Sequence, residues 1–396
     1  MSESVSRNKE RIIVVFVINY ITNNGPGMVV KNLIDSLDRS ETAPGLVTIM
    51  SHRNDQTVVR KFKEAGIPVI ECGYRNQMDL MSGWRGFQKT LMAVGADIIH
   101  SHGLLADIAA ASLPGNVLKV STVHSNLPED YQNAYGAAGK LLLAPLHIRY
   151  LNRLDLCICC SSSVQHALKN KLRRSAFVRN GIELPENADL QGKGQSERSK
   201  EEEMINKRLA GIPRDAKLFL FAGKLIRRKN VEWLIRAFVS CRHKDDYLII
   251  AGDGECMDAC RNAADEHVIF TGFVRKVERL YEIADIYVSA SLSEGFSISV
   301  IEALSHGMGM LLSDIPSHTE LFEIRQEVYI GELFGAKTFK EGLYRLRENW
   351  SRLDRETIRG VQQKHLSSRN MADSYLSIYR RLYKKHKGDQ RHRRQD

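Results

Sequence analysis

The stretch RIIVVFVINYITNNGPGMVVKNLIDSL, Arg11 to Leu37, decides the fold class. Arg11–Ile18 is an apolar, β-branched run of strand length, of the kind buried on both faces of a parallel sheet. Asn23–Gly27 reads as a turn, and Met28–Leu37 then carries apolar residues at helical spacing. Working outward, the alternation returns. Strands are expected at Gly45–Met50, Pro68–Glu71, Asp97–His100, Val117–Val123 and Leu156–Cys160, with helical patterns between them. Such alternation builds a parallel sheet covered by helices on both faces. Ligands bind these sheets beyond the carboxyl ends of the strands, so the residues after each strand are the candidates.

Composition shifts near Glu183. The polar segment Glu186–Glu203 holds no strand pattern and reads as a linker, taken as 186–213, after a first domain over 1–185. Alternation then resumes at Lys217–Gly223, Tyr247–Gly252, Val268–Gly272, Asp285–Ser291 and Gly309–Asp314, giving a second doubly wound domain over 214–365. From Phe339 to Lys387 the pattern is helical, with Tyr375 and Tyr379 on one face. Two doubly wound domains facing each other make a cleft, a usual place for a two-substrate site.

Length and composition agree. A chain of 396 residues suits two domains, and 43% hydrophobic with 26% charged residues excludes disordered and fibrous classes. No apolar run approaches the ~18–20 residues that span a bilayer. Glu3, Arg7, Lys9, Glu10 and Arg11 leave no apolar leader, so a cytoplasmic protein is expected. The seven cysteines are odd in number and sit in core-like settings such as Leu156–Ser163, which suits packing rather than disulfides or zinc. Of the net charge of +10, a large share lies in Arg380–Asp396, where eight Lys/Arg face only Asp389 and Asp396. Such a segment is either a solvated tail or a contact for an anionic membrane surface. No zinc finger, helix-turn-helix or aromatic RNA motif accompanies it, so nucleic acid is not an expected partner.

Three constellations carry chemistry. In Ser293–Asp314 (SEGFSISVIEALSHGMGMLLSD), a loop bears Glu294, a helix starts near Ser297 as its expected cap, and Glu302 lies on the second turn. A helix N-terminus favours phosphate, and a carboxylate can accept from two adjacent sugar hydroxyls. The spacing alone fits equally a helix with two ordinary glutamates. In Phe219–Phe238 a strand ends at Gly223, and Lys224, Arg227, Arg228 and Lys229 follow with no acid beside them in sequence. That is an anion site or a solvated patch. In the first domain, Gly25 and Gly27 follow the first strand, and His100, His102 and His124 mark two later strand ends. Neither a Walker loop nor a GxGxxG fingerprint is present.

Taken in order, NGPGMVVKNL, DIIHSHG, STVH, RNGIE (Arg179–Glu183), FAGKLIRRKN, IIAGDGE, VIFTGFV and EGFSISVIE resemble the family 4 glycosyltransferases. Together they cover roughly Arg11 to Leu321, and the E-x7-E spacing of Glu294 and Glu302 is the most specific element. The resemblance implies the GT-B fold, α/β with two Rossmann-like domains, and residues 366–396 as a helix returning to the first domain plus a basic tail. It implies a retaining hexosyltransferase using a nucleotide-sugar donor, UDP the expected nucleotide, with no cofactor and no metal. Glu302 would bind the ribose, Glu294 a donor-sugar hydroxyl, and Lys224 and Lys229 the diphosphate, with Gly25, Gly27 and Ser297 also on the donor side. His124 would sit beside the donor sugar, with Glu294 and His124 the catalytic pair. The chain departs from the pattern at Asn24-Gly25-Pro26-Gly27, where a Gly-Gly pair is common, at Lys224 for Arg, and at Ser297 for Gly. Lys224 keeps charge but loses a bidentate fork.

The expected acceptor is a lipid-linked saccharide of a bacterial O-antigen, capsule or lipopolysaccharide, handled at the inner face of the cytoplasmic membrane. The segment Lys140–Arg153 (KLLLAPLHIRYLNR) is a candidate membrane contact, or else a buried core helix. A nucleotide-sugar epimerase of the same architecture and a silent nucleotide-sugar-binding scaffold are the competing readings.

Overall fold

The computed structural model describes residues 11–22, 25–51, 56–183, 195–275, 277–335 and 338–392. The chain divides into two α/β units, one formed by Met1–Gly181 with Ser368–Asp396 and the other by Ile182–Ser367. In the first unit the strands are β1 (Ile12–Ile18), β2 (Thr42–Met50), β3 (Val69–Tyr74), β4 (Ile98–His102), β5 (Leu118–Val123), β6 (Leu156–Cys159) and β7 (Ser175–Phe177). They lie in the order β3-β2-β1-β4-β5-β6-β7, every pair parallel. β1 is central, and Val14, Phe16 and Val17 are wholly buried, as its unbroken apolar run requires.

The second unit holds β8 (Lys217–Ala222), β9 (Asp246–Ala251), β10 (Val268–Gly272), β11 (Ile286–Ser289), β12 (Gly309–Ser313) and β13 (Gly331–Phe334). Their order is β10-β9-β8-β11-β12-β13, again parallel throughout. Phe219, Phe221, Leu234, Phe238 and Leu248 join one core beneath β8, each such side chain contributing ~1.5–3 kcal/mol on burial. In both sheets strand order reverses beside the first strand, between β1 and β4 and between β8 and β11. Ligands settle at such switch points.

Several expectations need correction. The edge strands β7 and β13 were not anticipated, because three or four residues such as SAF and GELF carry no apolar run. The first helix spans Gly25–Ser36, three residues earlier than expected, since Pro26 suits a first turn that lacks amide acceptors. Asn23 and Asn24 of the expected turn lie outside the described residues, as does 184–194 of the expected linker. The rest of that linker is not irregular: Gln195–Leu209 is a helix. Among its described side chains Ile205 is buried, and Arg208 Nη1 donates to Phe270 O on β10 at 2.6 Å, which docks so polar a segment.

Lys140–Arg153 is not wholly a core helix. A helix at Leu127–Ala138 passes through Gly136 at φ +66° into a π-helical turn, Gly139–Leu143, and then the helix Ala144–Leu151. Ala144, His147 and Leu151 face inward, while Leu141 (70%) and Leu142 (68%) stay exposed, along with Tyr135 and Leu146. Among the described residues no helix is long and apolar enough to cross a membrane.

The basic segment is not a frayed coil either. Ser368–His392 is one helix of the first unit. Tyr375 and Tyr379 are buried beneath it: Tyr379 Oη lies 2.7 Å from His100 Nδ1, and Tyr375 Oη lies 2.8 Å from Thr122 Oγ1. Arg380 pairs with Glu41 at 2.5 Å, while Arg381, Lys384, Lys385 and Lys387 are exposed. Arg393 and Arg394 lie outside the described residues. Cys157, Cys159, Cys160 and Cys260 are buried, whereas Cys72, Cys241 and Cys256 are only half-buried, and all seven are free thiols.

Candidate active site

At the switch point of the second unit, Gly223 follows β8 and Gly252 follows β9. A Cβ on Gly252 would collide with Gly223 O, and one on Gly254 with Leu225 O, so glycine is required for the two strand-end loops to touch. Lys224 follows and is exposed. Arg227–Lys229 form a 3-10 turn that ends at Asn230 in the left-handed region (φ +53°), before the helix Val231–Cys241.

That turn delivers its cations to an acid. Arg228 Nη1 donates to Glu294 Oε2 and to Ser293 O, both at 2.6 Å, and Lys229 Nζ donates to Glu294 Oε1 at 2.5 Å. Ser291 Oγ donates to the same Oε1 at 2.9 Å. The sequence showed no acid beside these cations, because their partner lies 65 residues ahead on the loop after β11. Burial pushes the Glu294 carboxyl up, but the Lys229 and Arg228 charges and their hydrogen bonds prevail and hold it down at about 2.

Eight residues on, Glu302 meets the opposite environment. It lies on the helix Ile298–Ser305, and Tyr281 Oη donates to Glu302 Oε2 at 3.0 Å. Burial and the nearby Glu278 charge outweigh that bond and push the carboxyl up to about 7. Tyr281 also stacks on His306, with ring centroids 5.2 Å apart, and His306 Nδ1 lies 2.9 Å from Glu302 O.

Ser297 occupies the cap position of this helix but does not cap it, contrary to expectation. Its Oγ turns 3.1 Å from Ser299 Oγ, within a hydroxyl chain that continues to Tyr287. Sequence reasoning also passed over His318. Its Nδ1 lies 2.8 Å from Ser313 O, and its buried Nε2 has no partner among the described residues. With Phe296, Ser297, Val300, Ile301 and Ser317 it lines a small pocket beside the helix N-terminus.

In the first unit, Gly25 is exposed at φ +48°, and Gly27 is packed so close to Thr22 that a Cβ would strike its backbone. The two-residue spacing of His100 and His102 puts both rings on one face of β4, 4.4 Å apart. His100 is absorbed structurally, between Tyr379 and Thr122, whose Oγ1 lies 2.8 Å from its Nε2. His102 Nδ1 instead lies 2.9 Å from Nε2 of His124, which follows β5. Burial pushes His124 down to about 4, and the Asp107 charge offsets this only in part. A second buried chain was not foreseen: Ser101 Oγ donates to Asp107 at 2.6 Å, Asp107 pairs with His147 at 2.7 Å, and His147 Nδ1 meets Tyr131 Oη at 3.0 Å. Among the described residues no group of three or more His, Cys, Asp or Glu could hold a metal ion.

Comparison with known proteins follows these units. The "Glycosyltransferase Family 4" model matches residues 23–185, and the "Glycosyl transferases group 1" model matches 216–349. The chain is 29% identical to the alpha-monoglucosyldiacylglycerol synthase of Streptococcus pneumoniae, over 64% of this chain and 61% of that protein. It is 25% identical to the O-antigen biosynthesis glycosyltransferase WclY of Escherichia coli, over 73% and 80%. The first curated relatives are thus matched over about three fifths of their length. Among solved structures, Anabaena Alr3699/HepE in complex with UDP-glucose superposes with a TM-score of 0.70 at 16% identity, covering 93% of this chain and 99% of that one.

Proposed function

We propose, because the chain belongs to the family 4 glycosyltransferases, that it moves a hexose or N-acetylhexosamine from a UDP-sugar to a saccharide acceptor with retention of configuration. The observation that carries this reading is the pair of part-buried glutamates eight residues apart, one clamped as a carboxylate and one with no cation partner among the described residues. Glu294, an acceptor-only group, receives hydroxyls of the donor sugar, and Glu302 receives the two ribose hydroxyls. Lys224, and the donors that Lys229 does not give to Glu294, supply charge for the diphosphate. The helix Ile298–Ser305 adds its N-terminal amides.

In the transfer, the acceptor oxygen bonds to the anomeric carbon while the bond to the diphosphate breaks. The acceptor proton leaves with the diphosphate. Negative charge builds on the leaving group, and removing one contact that stabilises it commonly costs ~10²–10³ in rate. Glu294 is a poor covalent nucleophile because two cations and a serine already occupy its oxygens. The route is therefore a front-face displacement, and a trapped glycosyl–Glu294 adduct would refute it. His124, neutral at pH 7, sits on the acceptor-domain side as a hydrogen-bonding group for the donor sugar.

The acceptor is a lipid-linked saccharide of a bacterial surface polysaccharide, reached from the inner face of the cytoplasmic membrane. Support comes from the named relatives, one a diacylglycerol-glycolipid synthase and one an O-antigen enzyme. Support also comes from the exposed Tyr135, Leu141, Leu142 and Leu146 beside the exposed cations Lys140 and Arg149. Flotation with anionic vesicles at low salt should carry the protein up, and Leu141→Ser with Leu142→Ser should leave it behind.

The donor reading is tested by thermal stability with UDP, GDP and ADP in EDTA, for wild type and Glu302→Ala. A nucleotide at ~100 times its Kd adds ~2.7 kcal/mol to the native state. Stabilisation by UDP alone that disappears in Glu302→Ala is the expected result. Stabilisation by none of the three, with or without added divalent metal, removes the donor site.

A further inference from the structure

His102 is 2% exposed and packs against the His100 ring, with centroids 4.4 Å apart, and more distantly against Phe16 at 6.1 Å. Its Nδ1 is 2.9 Å from His124 Nε2, and its own Nε2 has no hydrogen-bond partner among the described residues. Burial pushes both rings well below the usual histidine range, so at pH 7 both are neutral. Two neutral imidazoles carry two ring protons, one of which occupies the Nδ1–Nε2 contact. The other resides either on buried His102 Nε2 or on His124 Nδ1. On His102 Nε2 it would be an orphaned buried donor, which folded proteins avoid more strictly than an unused acceptor. On His124 Nδ1 it belongs to a partly exposed ring.

We propose that His102 is a positioning residue for His124: its Nδ1–H donates to His124 Nε2 and fixes the His124 ring as the Nδ1–H tautomer. His124 thereby presents an N–H, not a lone pair, at the end of β5. The consequence for catalysis rests on the reading of His124 as a donor-sugar contact; the tautomer itself does not. With the ring's other nitrogen already occupied, a sugar oxygen near His124 finds a donor of fixed direction. No rotation or proton shift is then needed before transfer.

Nitrogen-15 NMR of histidine-labelled protein at pH 7 distinguishes protonated from bare ring nitrogens, and His124→Gln assigns the His124 signals. The wild type should show His124 protonated on Nδ1 alone. His102→Asn, whose side-chain N–H overlays Nδ1 of histidine, should keep that tautomer, and His102→Leu should give a mixture. In turnover, His102→Leu should lower kcat about tenfold, ~1.4 kcal/mol, with the acceptor KM unchanged, and His102→Asn should restore most of it. A wild-type His124 protonated on Nε2, or a pure Nδ1–H signal surviving in His102→Leu, overturns the proposal. Should His102→Leu fail to fold, loss of the Nδ1–H tautomer in His102→Asn overturns it equally. The expected tautomers in a protein that transfers no sugar would refute the transferase reading and leave the positioning intact.

Discussion

The strand ends at the two switch points bury polar groups in opposite ways. In the second unit they end in charge, with Glu294 between Lys229 and Arg228. In the first they end in neutral rings and hydroxyls, with His100, Thr122, Tyr375 and Tyr379 sharing protons and His102 leaning on His124. A buried ion pair depends on each partner staying charged, because a lone buried charge is costly. A neutral network depends instead on each proton having one acceptor. The two sites should therefore fail under different insults.

The largest expected effect is at the charged site. Lys229→Ala leaves Glu294 with one cation where it had two, and breaking such a buried pair costs ~3–5 kcal/mol. Urea unfolding should show that loss, with partial recovery in Lys229→Ala combined with Glu294→Gln. A cost near zero would mean that Glu294 is not held as an anion.

Second comes pH, where the signs separate. Glu302 is raised from 4.5 to about 7, so its folded form keeps a proton that the unfolded form gives up. Its contribution to stability is lost as pH rises from 4.5 through about 7, and Glu302→Gln should abolish that fall, by ~1–3 kcal/mol at pH 8. Glu294 runs the other way: lowered to about 2, it stabilises above 4.5 and loses its contribution as pH falls toward 2. His100 and His124 are lowered from 6.5 to about 3 and about 4, so their contribution is full above 6.5 and is lost on acidification below it. Between pH 6.5 and 5 the first unit should thus loosen around β4 and β5 while the Glu302 helix tightens. Hydrogen exchange resolved by segment checks this, and parallel changes in both units would erase the distinction.

Smaller still, Tyr379→Phe removes one shared proton at His100 and should cost ~0.5–1.5 kcal/mol. The smallest effect on stability is expected at Lys224, which is exposed. Lys224→Ala should stay within ~0.5 kcal/mol of wild type by urea unfolding. It should nonetheless weaken the stabilisation by UDP. Lysines five positions apart would then divide into one that holds the site and one that serves the ligand.

The sheets were legible because β1, β8 and β9 carry continuous apolar runs, a signal that survives without knowledge of neighbours. β7 and β13 were not, since an edge strand of three or four residues owes its conformation to the strand it pairs with. Glu294 and Glu302 were found by spacing, but their contrasting protonation was hidden. It depends on Lys229 and Arg228, from the turn after β8, and on Tyr281 and Glu278, from the helix Glu278–Ile283, which topology brings together. The helix Gln195–Leu209 was missed because its charge density, in the run QSERSKEEE, suggested a linker and left no apolar periodicity to read. His102 left a usable trace: H-x-H on a strand places both rings on one face, and the next parallel strand sets Thr122 opposite His102, two residues before His124.

The second unit is one uninterrupted segment whose ends meet: Ile182 N donates to Leu366 O at 3.0 Å, and Ile182 bridges Ser367. The first unit is split around it, and its helix Ser368–His392 brings Tyr375 and Tyr379 to partners made 253 and 279 residues earlier. During synthesis, then, the unit begun first is completed last. Until residue 379 has left the ribosome, His100 faces a missing hydroxyl, while the inserted unit already has all its strands. The nascent first unit waits with the surface that Met371, Ala372, Tyr375 and Leu376 later bury against still open, and apolar surface left open in this way is what a chaperone binds.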